Sequence, residues 1–202
     1  METEALLLTR ANYGENTLRL SFLCPKSGFT TAFKKTGKLL SANAQPDLFD
    51  TASILLETGR QGNGHFVKSY APRLRRENIP KDYARFQTAC QLALVLCRNG
   101  PFLEDALQTY RLTETALDAF NTPSTPPPVI YLKFLYLLVR QEGYPVRQAW
   151  RQTLTSRQAQ ALALILSQPL EVLAGHTPRL CDELILNLEA WTRSETSLQL
   201  SA

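Results

Sequence analysis

Two histidines, four cysteines and a concentration of lysine and arginine in the first 85 positions are the residues whose types could do chemistry. His65 falls in a segment that reads as a strand and His176 in a Gly-His-Thr-Pro loop. Neither has a Ser or Cys nucleophile motif to work with, and Gly-x-Ser-x-Gly is absent. Thr36-Gly37-Lys38 has the look of a phosphate loop, but Ala32 stands where that loop needs its first glycine, and Leu39 follows the lysine in place of Ser or Thr. The adjacent carboxylates Glu104-Asp105 and Asp182-Glu183 sit at expected helix starts, where the helix macrodipole favours negative charge without any catalytic role. Cys24, Cys90, Cys97 and Cys181 form no Cys-x-x-Cys pair. Cys90 and Cys97 are seven apart on one helix face and read as buried free thiols. With only two histidines, a zinc site is not expected. The expectation is a protein without catalytic machinery, metal or cofactor.

The basic residues carry more information. Residues 1–85 hold a net charge of +5 and residues 86–202 a net −1, so the overall +4 is entirely N-terminal. The cations gather at strand ends: Lys26 in a turn, Lys34, Lys35 and Lys38 after the third strand, Arg60 in a hairpin loop, Lys68 on the fifth strand, and Arg73, Arg75 and Arg76 beyond it. On a small barrel such loops can line one groove. With Tyr13 or Phe29 exposed as stacking faces, that groove suits a single nucleic-acid strand. Phe33 is assigned to the barrel core.

The elements that must position these residues change character near residue 79. In residues 17–24, Leu18, Leu20, Phe22 and Cys24 share one face while Thr17, Arg19 and Ser21 share the other, the period of a half-buried strand, with Leu23 as the misfit. Further strands are expected over 5–10, 29–34, 48–57 and 65–71. The turns Asn12-Tyr13-Gly14-Glu15-Asn16 and Pro25-Lys26-Ser27-Gly28 and the Gly-rich loop 59–64 separate them. Five short strands in about 70 residues are too few for two covered layers, so an OB-type barrel over 1–78 is expected.

Residues 79–202 read as an all-α bundle, making the chain α+β. One stripe runs Tyr83, Phe86, Cys90, Ala93 or Leu94, and Cys97. A second runs Leu103, Ala106 or Leu107, Tyr110, Leu117 and Phe120. The proline-rich stretch 121–128 reads as a linker, and 129–140 is apolar nearly all round, as the central helix of a bundle should be. Gly143 and Pro145 end it. Thr155-Ser156-Arg157-Gln158 has the form of a capping box, and Thr177-Pro178 that of an N-cap followed by proline, opening a helix with Leu180, Leu184, Leu188 and Trp191 on one face. The last ten residues are expected to be loose.

Several of these segments, in order and spacing, resemble the N-terminal OB domain of the bacterial DNA repair protein RecO. They are Tyr13-Gly14-Glu15-Asn16-Thr17, Leu23-Cys24-Pro25-Lys26-Ser27-Gly28, Phe33-Lys34-Lys35-Thr36-Gly37-Lys38 and Gln45-Pro46. Lys133-Phe134 through Leu138 to Gly143-Tyr144 is similar to a segment of that family's helical domain. The resemblance implies a non-enzymatic recombination mediator that binds single- and double-stranded DNA and anneals complementary strands. It further implies contact with the acidic tail of single-stranded DNA-binding protein and a joint role with RecR in loading RecA. By position in the motif, Lys34, Lys35 and Lys38 inherit DNA contact and Lys133 a role in holding the acidic tail. Arg140 joins Lys133 because it lies along the same helix face. The family's basic loop here lacks its arginine, and the zinc-finger-like insertion of some members is missing.

Composition sets the outer bounds. At 44% hydrophobic and 20% charged residues over 202 positions, the chain is long enough for a sizeable core. Its longest apolar run, 129–139, is interrupted by Lys133 and too short to span a bilayer. Glu2 and Glu4 stand where a secretory leader needs positive charge, so a cytoplasmic protein is expected, and the resemblance further implies a bacterial, nucleoid-associated one. The alternative is a protein–protein interaction module that bridges repair partners without touching DNA.

Overall fold

The structure, a computed structural model, describes residues 1–35, 45–59, 64–173 and 178–200. Lys38, Arg60, His176 and the Thr177 cap lie outside the described residues, as does the segment Thr36-Gly37-Lys38. The chain divides into two compact units. Met1–Arg76 joins Leu96–Glu114 in the first, and Glu77–Val95 joins Thr115–Ala202 in the second.

Five strands build the first unit: β1 (Glu2–Asn12), β2 (Thr17–Cys24), β3 (Gly28–Lys35), β4 (Thr51–Thr58) and β5 (His65–Leu74). They close in the order β1-β2-β3-β5-β4, with β1 against β4 and every pair antiparallel except β3 with β5. That is the OB-type barrel expected from the strand pattern. β4 begins at Thr51, not at residue 48, because Phe49 has φ 67° and the Asp50 carboxylate closes a turn by accepting from Asp47 N–H at 3.1 Å.

Register decides which side chains fill the barrel. Leu18, Leu20, Phe22 and Cys24 point inward, as their spacing requires. β2 pairs with β3 so that Leu18 faces Lys34, Leu20 faces Ala32 and Phe22 faces Thr30. The inward positions of β3 are therefore the small or polar residues Thr30, Ala32 and Lys34, opposite large ones on β2. This alternation suits a narrow barrel. Phe33, assigned to the core from sequence, is on the outer face, because neighbouring residues of a strand point to opposite sides.

Part of the outer wall is covered too. Ala5 through Leu8 are buried without alternation, and so is Leu23, the misfit of β2. Residues 96–114 of the first unit pack on this wall at Glu4, Gly28 and Phe29. A Cβ on Gly100 would lie 2.7 Å from Phe29 Cβ, Ala106 Cβ is 3.6 Å from the position of a Cβ on Gly28, and Tyr110 donates its hydroxyl to Glu4 at 3.0 Å. Phe29 is thus half-buried in packing and not free for stacking.

The helices are α1 (Tyr83–Asn99), α2 (Ala106–Asn121), α3 (Pro127–Gln141), α4 (Ser156–Ser167) and α5 (Pro178–Glu195). α1 buries Arg85, Ala89, Leu92, Ala93 and Leu96, while Tyr83, expected on its apolar stripe, is 79% exposed. α3 begins inside the proline-rich stretch, since prolines at its first two positions lose no intrahelical bond. Between Val129 and Val139 only Lys133 and Leu137 escape burial, in keeping with a central helix. Gly143, at φ +80°, ends it and donates to Arg140 C=O at 3.2 Å. The expected capping box of α4 is complete, Thr155 and Gln158 each serving the other's backbone N–H. Asp105 serves α2 likewise, accepting from Gln108 N–H at 2.9 Å, which gives that carboxylate its structural role. The C-terminal segment departs from expectation: Leu198 and Leu200 are buried, and Tyr144 shares a 2.8 Å hydrogen bond with Ser197.

All four cysteines are free thiols, and burial raises each thiol's pKa, that of Cys181 to about 11. Because the thiolate is the reactive form, the native protein at pH 8 should react with a chromogenic thiol reagent far more slowly than free cysteine does. Denaturant should then release four equivalents; rapid labelling of the native state would contradict the burial described.

Candidate nucleic-acid interface

The β1–β2 turn, the upper half of β3 and the start of β5 bring three aromatic rings into a row on the outer face of the barrel. Tyr13 is fixed by its N–H donating to Thr17 C=O at 2.7 Å, with Gly14 at φ +76° completing the turn, and the tyrosine is 60% exposed. Its ring centroid lies 4.9 Å from that of Phe33, which is 6.1 Å from that of Phe66. Phe33 and Phe66 are direct register partners across the parallel pair. Gly64, at φ +84°, lets the chain pass 3.5 Å under the Phe33 ring, measured from where a Cβ would stand. The rings are mutually tilted, by 53° and 43°, so they form a faceted platform and not a stack of their own.

Cations frame this row. Arg19, the register partner of Phe33, is exposed, as are Lys35 and Lys68. Lys68 meets Glu57 at 3.1 Å, but both side chains are more than half exposed, so the pair is weak and easily exchanged for a phosphate. Lys34 is different: it is inward-facing and 8% exposed, and burial lowers its pKa. Between β3 and β5 opens a groove of about 680 Å³, walled by residues 33–35, 66–68 and 57–59. OB-type barrels take oligonucleotides on the face bounded by the β1–β2 and β4–β5 loops, where this row sits.

The other sequence-predicted cations divide. Lys26 is exposed in the β2–β3 turn, at the far end of β3 from Lys35, a separation of about 23 Å at strand rise. Arg73, at the end of β5, donates to Ser53 Oγ at 3.4 Å and lies 3.6 Å from Glu4. Arg75 donates to Gln45 C=O at 3.1 Å and lies 3.7 Å from Asp50. Arg76 is 3% exposed, and its guanidinium donates to Phe49 C=O at 2.6 Å and Thr51 Oγ1 at 3.0 Å. A guanidinium so enclosed cannot reach a phosphate, so Arg76 is a clamp on the β4 entry and leaves the contact set. Tyr70 completes that end of the barrel by donating to the buried Asp50 carboxylate at 2.8 Å. Burial is the main cause of the raised pKa of both groups.

In the second unit, Lys133 Nζ donates to Gln168 C=O at 2.5 Å, while Arg140, seven residues on, is exposed at the last turn of α3. Among the described residues no group of three or more His, Cys, Asp or Glu could hold a metal ion, and no helix is long and apolar enough to cross a membrane. Sequence reasoning missed Arg19 and Phe66 and misplaced Phe33. The register of the β2–β3 hairpin was the available signal: with Cys24 opposite Gly28, inward Leu18 and Leu20 force Lys34 and Ala32 inward and Phe33 outward.

Fold and site together define an OB-type barrel with an aromatic, cation-framed outer face. Neither a scan of the sequence against protein-family models nor a search of curated proteins finds a match.

Proposed function

We propose that the barrel binds single-stranded DNA across the Tyr13–Phe33–Phe66 row and that the protein is a non-enzymatic recombination mediator of the RecO type. The observation that carries this reading is the row itself, three rings on one outer face among Arg19, Lys35 and Lys68. Exposed aromatics on a barrel surface bring a stability cost and a risk of aggregation. As stacking surfaces for bases they have a use, because every base offers a π face whatever its sequence. The cations supply phosphate contacts, and affinity then comes from counterion release with little base readout. Strands held with their charge neutralised and their pairing edges free are ready to anneal.

The remaining parts of the reading follow the family resemblance. Double-stranded DNA would be met by the cations alone, the nucleoid being the cellular source of both forms. The α3 stripe of Lys133 and Arg140 would meet the acidic tail of single-stranded DNA-binding protein, and RecR would be the partner in loading RecA. Fluorescence anisotropy of a labelled single-stranded oligonucleotide tests the core of the proposal at about 50 mM and about 200 mM salt. The expected result is binding that weakens with a slope of about −2 to −3 in log K against log salt, for three or four phosphate contacts. Absence of binding at the lower salt would leave the barrel a protein-interaction module.

A further inference from the structure

The groove beside the aromatic row opens where the β3–β5 ladder ends. Among the described residues the β3–β5 ladder holds two register pairs, Ala32 with His65 and Phe33 with Phe66. Beyond them residues 34–35 and 67–68 continue without pairing to each other, and the groove of about 680 Å³ runs into this seam. It is lined both by outward side chains, Phe33, Lys35, Phe66 and Lys68, and by the inward ones Lys34 and Val67. An exterior ligand can therefore reach the ammonium of an inward-facing lysine.

Lys34 is a charged side chain at an inward position of β3. It is 8% exposed, faces Leu18 across the β2–β3 register, and among the described residues meets neither a carboxylate nor any hydrogen-bond acceptor. Its stem is buried while its ammonium stays open to the groove, since among the described residues the one fully enclosed side-chain nitrogen lacking a hydrogen bond is Nη2 of Arg76. A methionine of similar length would fill the same place with an uncharged end. Lysine's three donors and full charge are matched by a compact anion, and the seam is where one can enter. We infer that the seam is a phosphate notch: one backbone phosphate of a bound single strand enters between β3 and β5 and is held by the Lys34 ammonium, while the neighbouring bases lie on Phe33 and Phe66. This rests on the strand-binding reading above and gives that site one dominant phosphate contact among several exchangeable ones. The lowered pKa of Lys34 agrees with it, since an entering anion restores what burial removes.

The test compares the wild-type protein with Lys34→Met and Lys35→Met, each in the full chain, by anisotropy with a labelled oligothymidylate and by thermal unfolding. Lys34→Met should unfold at the same or a higher temperature than wild type yet bind about 10-fold more weakly, while Lys35→Met, altering an exposed contact, should lose only about 2-fold. Affinity lost while stability is kept separates a ligand-holding role from a packing role. Adding a 5′-phosphate to the oligonucleotide or competing with inorganic phosphate distinguishes the sources of the anion. Little effect of either supports the backbone phosphate, whereas strong competition by inorganic phosphate, abolished in Lys34→Met, overturns the strand as source. Lys34→Met binding the strand as tightly as wild type overturns the notch alone. Failure of the wild-type protein to bind the strand at all overturns the strand-binding reading and the notch with it.

Discussion

Replacing Arg85 by alanine should lower the stability of the 202-residue protein by about 3 kcal/mol, with a fall in apparent Tm of roughly 6–12 °C. Arg85 is 6% exposed, and its guanidinium donates to four carbonyls just at and beyond the end of α2. They belong to Phe120 at 2.9 Å, Thr122 at 3.0 Å, Pro123 at 2.9 Å and Thr125 at 3.1 Å. A helix leaves its last carbonyls unpaired and carries partial negative charge at that end. One planar, multi-donor cation answers both needs and turns the chain toward α3. Nearby, Asn78 donates two further hydrogen bonds to Asn121, from its backbone N–H to Oδ1 at 3.0 Å and from its side-chain amide to the backbone C=O at 3.1 Å, so the same turn is tied on two sides. A lysine in this place would keep the charge but not the fork, and Arg85→Lys should recover less than half of the loss. Tryptophan fluorescence reports on the second unit, which contains Trp150 and Trp191. A loss below about 1 kcal/mol on Arg85→Ala would mean that the carbonyls find other donors.

Replacing Phe33 by alanine should weaken single-stranded DNA binding by about 10-fold or more while leaving stability nearly unchanged. Stacking of one base on an aromatic side chain is worth about 1–3 kcal/mol, and Phe33 is the middle ring of the row, in contact with both of its neighbours. Its ring lies outside the barrel core, so little folding energy depends on it. Phe33→Trp should retain affinity, because the face is kept. Anisotropy titration of the two variants beside wild type checks this. Equal affinities for wild type and Phe33→Ala would remove the row as a stacking platform, leaving the cations as a diffuse phosphate surface.

Much of the fold is legible in the sequence because its signals are local. The alternation of Leu18, Leu20, Phe22 and Cys24, the turn residues around Gly14 and Gly28, and the Thr155–Gln158 box each act within a few residues, and each forms as expected. The misreadings come from partners distant in sequence. Phe33 looks like core because it is large and apolar, yet the barrel has room at β3 only for small residues opposite Leu20 and Phe22. Leu23 and Phe29 point outward, yet Leu23 is buried and Phe29 packs against Gly100, and nothing in residues 1–78 announces that neighbour. Arg76 and Arg85 have the composition of surface cations and the environment of buried clamps, because most of their acceptors are backbone carbonyls, which sequence does not display. In the site, the basic residues are legible as a population. Their sorting into a cluster beside the aromatic row, a second cluster at the far end of β5 and two buried clamps requires the register.

Photochemical cross-linking tests most directly whether this face of the barrel is where a strand lies. A single-stranded oligonucleotide carrying a photoreactive thymine analogue would be irradiated with the full-length protein and the adducts mapped by mass spectrometry. Adducts on Tyr13, Phe33 or Phe66, lost in Phe33→Ala at that ring and suppressed by raised salt, are the predicted result. Adducts confined to the helical unit, with none on the β1–β2 turn, β3 or β5, would contradict the account.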